Sequence, residues 1–232
     1  MGTIGTIILV IVLCAFSFGW YFMQQKKTAN VTKDFNVINQ KENTSIYFKE
    51  LLNGKFSFLK NEMKNAPIDA FSAGRIPNSL GDKAKALATD VAKSAAWRLV
   101  GVKARYTRED AMCYFVLSGD DLHFLTYFED KIDSHTLFTK DKINGATISQ
   151  IESAKTEKKF GAGVHNEYQL TFTMKGEPIV LILKDYITEV VGQGIPNAMS
   201  TEYNKDLVKQ NLIGLHFKRM LGEKYHHLKI GL

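Results

Sequence analysis

The rhythm of apolar and polar positions changes along the chain, and each change marks an element. Residues 3–23, TIGTIILVIVLCAFSFGWYFM, hold no charged side chain. These 21 residues would span ~31 Å as a helix, about the thickness of a bilayer's hydrocarbon core. Trp20 and Tyr21 stand at the end of the run, where amphipathic rings favour the headgroup level, and Lys26 and Lys27 follow. A cleaved signal peptide would carry basic residues before the run and a small-residue site after it, and the chain shows neither. The pattern predicts an uncleaved transmembrane anchor over residues 1–23.

Residues 24–43 are polar and read as a stalk. From Thr44 the apolar positions Phe48, Leu52, Phe56, Leu59 and Met63 recur at helical spacing, with Gly54 weakening the pattern and Ala66-Pro67 ending it. FSAGRIPNSLGDK then reads as a loop. A second helix is expected from Asp82 to Trp97, with a face of small side chains including Ala84, Ala88 and Ala95. Residues 44–100 are therefore read as a helical segment.

After Gly101 the period becomes alternating. MCYFVLS and LHFLTYF read as strands around the turn GDD, with Leu122, Phe124 and Thr126 on one face and His123, Leu125 and Tyr127 on the other. EDKIDS is a turn, HTLFT a strand, KDKING a turn, and ATISQIESAKTEK a further extended stretch. FGAGVHN and VVGQGIPNAMS read as loops, and EYQLTFTMKGEPIVLILKD as two strands joined at Lys175-Gly176-Glu177. The chain closes with an amphipathic helix over NKDLVKQNLIGLHFKRML, with Asn204 able to cap its start. The expected class is α+β: an anchor helix, a helical segment, then an antiparallel sheet over residues 101–232 closed by a C-terminal helix.

Residues 111–225, in this order of LHFLTYFEDKIDSHTLFT, TISQIESAKTEKKFG, EYQLTFTMKGEPIVLIL and a last helix, resemble the pleckstrin-homology-like fold, especially its bacterial membrane-associated versions. Ile148 and Ile151 stand where such domains carry an Ile-x-x-Ile pair. The resemblance covers half the chain and leaves residues 44–100 unexplained. It implies a sheet curled into a barrel whose open end is plugged by the last helix, with Leu212, Leu215 and Phe217 among the plugging residues. It also implies that basic residues in a strand-connecting loop can bind lipid headgroups, a place taken here by Lys155, Lys158 and Lys159. Glu157 in their midst favours a solvated hairpin end instead.

Charge adds an orientation. Between Gln24 and Pro67 there are eight lysines against four acids, most of the chain's formal +6. Positive flanks stay inside, so the N-terminus is expected outside and the main body in the cytoplasm. The same basic stretch would be drawn to an anionic leaflet. Asn30 and Asn43 begin glycosylation sequons that matter only in a secretory lumen. The pI near 9.1 comes largely from beside the anchor, and no aromatic–basic stacking motif accompanies it, so a nucleic-acid partner is not expected. With 45% hydrophobic residues, the remaining chain suffices for one large or two small domains. Cys14 falls in the expected span and cannot bridge Cys113, so no disulfide framework is expected.

Candidate chemistry is sparse. Gly161-Ala-Gly163 and Gly192-Gln-Gly194 lack the rest of a phosphate-loop fingerprint. His226-His227 has no matching metal-ligand spacing and reads as a solvated tail, so neither metal nor cofactor is expected. Asp120-Asp121 and Glu129-Asp130 sit at hairpin tips, where turns favour Asp. Cys113 with His123 or His135 would make a nucleophile–base pair, but a thiol in an apolar strand is more often inert. The sequence reading is a single-pass membrane protein whose cytoplasmic domain is a non-catalytic interaction or scaffold module for a protein partner. The alternative is a binder of a lipid headgroup or apolar ligand through a barrel. A cleft gathering His123, His135 and an acid would point to an enzyme.

Overall fold

The computed structural model describes residues 3–64, 66–77, 112–128, 131–151, 166–174, 176–187 and 201–230. Helices α1 (Thr3–Asp34), α2 (Thr44–Asn53) and α3 (Ser57–Glu62) precede strand β1 (Ala70–Arg75). Strands β2 (Met112–Ser118), β3 (Asp121–Phe128) and β4 (Lys131–Phe138) follow, then a one-turn helix α4 (Lys140–Asn144). Strands β5 (Thr147–Gln150), β6 (Glu167–Met174) and β7 (Glu177–Lys184) lead to helix α5 (Thr201–Lys224) and a 3₁₀ turn at His226–Leu228.

All seven strands form one antiparallel sheet in the order β4-β3-β2-β1-β7-β6-β5. Two meanders, β1 to β4 and β5 to β7, are joined where Gly74 and Arg75 pair with Leu183 and Ile182. A β-carbon on Gly74 would run into the Phe115 ring and come 2.8 Å from the Ile182 carbonyl oxygen, so only glycine fits this junction. The sheet curls enough for Phe138 of β4 to stack on Phe172 of β6, with centroids 4.1 Å apart. It does not close into the expected barrel: β4 and β5 remain its two edges. The link between β4 and β5 includes helix α4, which packs against β3, β4 and β6 and buries Ile143.

Both faces of the sheet are covered, which is why the central strands read as nearly continuous apolar runs. The inner core gathers Phe115, Phe124, Leu170, Leu181, Phe217 and Leu221. The outer core gathers Leu52, Phe56, Leu59, Tyr114, Leu125 and Ile213. The two faces of β3 are those expected from its alternation: Leu122 and Phe124 belong to the inner core, Leu125 and Tyr127 to the outer. Helix α5 contributes to both, Ile213 to the outer and Phe217 to the inner. Leu212 and Phe217 are buried as expected, whereas Leu215 is half-buried. Asn204 does not cap this helix, which starts at Thr201; it lies buried within the first turns.

Four local readings differ. The helix expected to run unbroken from Thr44 to Met63 divides at Gly54, with backbone angles of −105° and −107°, and its apolar face resumes in α3. The loop expected over FSAGRIPNSLGDK contains β1, a central strand of small residues covered on both faces, in which Ser72 donates a 2.6 Å hydrogen bond to the Lys184 carbonyl. EDKIDS supplies the start of β4, and KDKING forms α4 instead of a plain turn. The helix expected over 82–97, the glycine loops and the Glu129-Asp130 pair lie outside the described residues.

Candidate functional site

The antiparallel register of β3 and β4 sets Leu125 opposite His135 and His123 opposite Leu137. The two histidines are thus diagonal neighbours on the outer face. His123 Nδ1 lies 2.7 Å from His135 Nε2, and the rings are 5.0 Å apart. The other nitrogen of His135, Nδ1, lies 2.8 Å from Glu62 Oε1 at the end of α3. A carboxylate accepts from His135 Nδ1–H, which leaves Nε2 to share a proton with His123. Burial, reinforced by the neighbouring His135, holds the His123 imidazole below its ordinary pKa, with Asp121 opposing. This row of three side chains can hold and relay a proton.

The structure does not give this row the nucleophile considered for it. Cys113 pairs with Thr126 in the register and lies in the inner core, on the opposite face from His123. Burial pushes its thiol up to about 12, far from thiolate chemistry at neutral pH. Among the described residues, no group of three or more His, Cys, Asp or Glu side chains could hold a metal ion. His226 and His227 are both exposed, as a solvated tail would have them, but the segment is tied down: Leu228 beside them is buried, and His227 Nε2 lies 3.0 Å from the Ile143 carbonyl oxygen. That contact ties the 3₁₀ turn at His226–Leu228 to α4.

A second polar cluster staples the two ends of the β6–β7 hairpin. Asp185 is 1% exposed. Its carboxylate accepts from the Asn166 backbone N–H at 2.8 Å, the Asn166 amide at 2.9 Å and the Tyr168 hydroxyl at 3.0 Å. Lys218 of α5 donates to the same hydroxyl at 3.0 Å. Burial and the Asp185 charge raise the Tyr168 pKa, so the hydroxyl stays a donor. Every polar atom here is bonded within the fold, and the cluster reads as structural. Asp120, at the tip between β2 and β3, accepts from Lys140 at 2.8 Å, and that bond holds its carboxyl below the usual carboxylate range.

The residues expected at a membrane interface lie on one continuous helix. Trp20, Tyr21 and Lys26 are exposed on α1, which continues past Lys27 to Asp34, through the first part of the expected stalk. Its end is tied to the domain: Phe35 meets Tyr47 at 6.1 Å, and the Tyr47 hydroxyl donates to Gln40 Oε1 at 2.6 Å. Lys155, Lys158 and Lys159 lie outside the described residues. Comparison with protein-family models, with curated proteins and with solved structures gives no match to this chain.

Proposed function

We propose that the chain is a single-pass membrane protein whose helix α1 anchors a pleckstrin-homology-like sheet domain in the cytoplasm, where that domain serves as a non-catalytic interaction or scaffold module. The observation that carries the anchoring is the exposure of α1. Every residue from Val12 to Met23 is exposed, Phe16 at 70% and Phe22 at 64%. Trp20, Phe22 and Met23 point to different sides of the helix, yet each is more than half exposed. Leaving a large apolar side chain in water forgoes ~1.5–3 kcal/mol, which a bilayer would restore. Among the described residues no helix is long and apolar enough to cross a membrane. The described side chains of α1 begin at Val12, and the proposed span takes the rest of its length from residues 3–11.

The domain reading is supported by seven antiparallel strands followed by a helix that packs on both cores. The alternative, a ligand held inside a barrel, has less behind it, because the sheet is open and its inner face is filled by Phe115, Phe124, Phe138 and Phe172.

Alkaline carbonate extraction of membranes carrying the full chain tests the anchor. The protein should stay in the pellet, and Phe16→Arg should release part of it. Release of the unaltered chain would refute the anchor. For orientation, Lys229→Cys places a thiol on an exposed position. Its labelling by an impermeant reagent in intact cells would refute the cytoplasmic placement. A pull-down of the full chain from solubilised membranes should recover a protein partner.

A further inference from the structure

We propose that Glu62, His135 and His123 form a proton-operated clasp that holds helix α3 on the β3–β4 edge of the sheet and releases it when both imidazoles are charged. The proposal stands on the geometry of the row and is independent of the membrane reading. With both rings neutral, His135 Nδ1–H donates to Glu62 Oε1 across 2.8 Å, and His123 Nδ1–H donates to His135 Nε2 across 2.7 Å. Every contact is satisfied. One added proton is also accommodated: His135 then donates from both nitrogens, to Glu62 and to an unprotonated His123 Nδ1. A second proton is not accommodated. It makes His123 Nδ1 and His135 Nε2 both donors, facing each other at 2.7 Å with like charges.

The surrounding groups do not rescue the doubly charged state. Among the described residues, β2 presents Val116 opposite His123 and Tyr114 further along, neither an acceptor for an imidazolium facing His135. On β3 itself Asp121 favours charge on His123, against burial and His135, and the balance is a lowered pKa. Tyr127 lies beyond on the same face and packs on Phe58 at 4.4 Å. On β4, Lys131 and Asp133 are exposed toward the far end of the strand. On α3, Lys60 donates to Asn53 at 2.9 Å, and Lys64 follows as an exposed cation. Among the described residues Glu62 is thus the carboxylate bonded to the row, and it already belongs to His135.

The sign follows. The lowered pKa of His123 means that the open arrangement binds the second proton more readily. The clasp is fully closed above the ordinary histidine value of 6.5 and opens as pH falls through the lowered value of His123. Opening bares the Phe58–Tyr127 contact beneath α3, an aromatic patch that neutral pH keeps covered.

Hydrogen–deuterium exchange on the full chain in detergent micelles, at pH 7.5 and pH 5 with intrinsic rates corrected, tests this. Protection of residues 57–62 should fall about ten-fold more than that of residues 177–184 on acidification. His123→Gln keeps a donor and an acceptor but cannot charge, and should shrink that difference to about two-fold or less. Glu62→Gln keeps the neutral row but removes the counter-charge, and should move the opening to higher pH. Equal pH responses in the two peptides of the unaltered chain would overturn the proposal. So would a response unchanged by Glu62→Gln, or by His123→Gln if that variant folds; if it does not, the other two measurements decide.

Discussion

Gly214 sits where α5 touches the end of β7, and a β-carbon there would strike the Asp185 carbonyl group and come 2.5 Å from the Tyr186 nitrogen. The obstacle is backbone, so it cannot swing aside. Gly214→Ala should therefore destabilise the domain by roughly 1–3 kcal/mol or more despite the better helix propensity of alanine, as a thermal melt would show. Leu212→Ala should cost about 2–5 kcal/mol in the same melt, since the side chain is buried. Leu215→Ala should cost less, because Leu215 is only half-buried. Lys209, on the same helix, bonds Glu50 at 2.6 Å and lies over the Tyr47 ring, so Lys209→Ala would not serve as a neutral control. Glu223 is the better control, because its 3.2 Å pair with Arg219 one turn back is exposed on both sides and such pairs contribute little. Cys113 should resist a thiol reagent until the chain is unfolded, and fast labelling of the folded protein would contradict its burial. At this scale helical spacing put Leu212, Leu215 and Phe217 on the apolar face of the last helix, and the structure buries Leu212 and Phe217 but leaves Leu215 half-buried. Gly214 was invisible, because its role is set by a backbone far away in sequence.

Strand β1 shows what element-level patterning can miss. AFSAGR has no β-branched residue and contains glycine, the composition of a loop. Its small side chains are needed because it is crowded from both faces and both edges. Gly74→Val should therefore abolish folding, read as loss of the cooperative melt, since the Phe115 ring and Ile182 carbonyl leave no space. The split of α2 from α3 was half legible: Gly54 weakened the pattern, but the apolar spacing carried across the break because both pieces pack on one core. Helix α4 hides in KDKING for a similar reason. Five residues are too few for a helical period to show, and its one buried side chain, Ile143, acts only against distant strands. The β6–β7 hairpin was fully legible, with Gly176 at φ +84° turning it where a glycine is required.

For the whole molecule, the sheet is held between two cores, with the N-terminal helices on one face and the C-terminal helix reaching both. The sequence reading separated a helical segment from a sheet domain, and the packing joins them: α2 and α3 cover the sheet that β1 completes. His123 was placed on the correct face by alternation, yet its row was not readable, because Glu62 is 73 residues from His135. Acid should weaken the assembly. Burial holds both His123 and His216 below the ordinary value, with His135 and Arg219 adding to it, so the unfolded chain takes protons more readily than the folded one. Their contribution to stability is complete above about pH 6.5 and is lost as pH falls through the folded values. The melting temperature should decline below that pH, and His216→Asn should lessen the decline. A melting temperature flat from pH 7.5 to pH 5 would contradict both shifts.

Helix α1 does not stop at its lysines. Asp34 stands eleven residues beyond Met23, about 16 Å of continuous helix. In the proposed anchoring, this makes a ruler and a compass of what a flexible tether would leave free. A partner in the same membrane would then have to present its surface at one height and on one side. Two residues inserted between Gln24 and Asp34 would turn the domain by about 200° and should abolish capture of such a partner, whereas seven, close to two full turns, should restore the facing with about 10 Å of extra height.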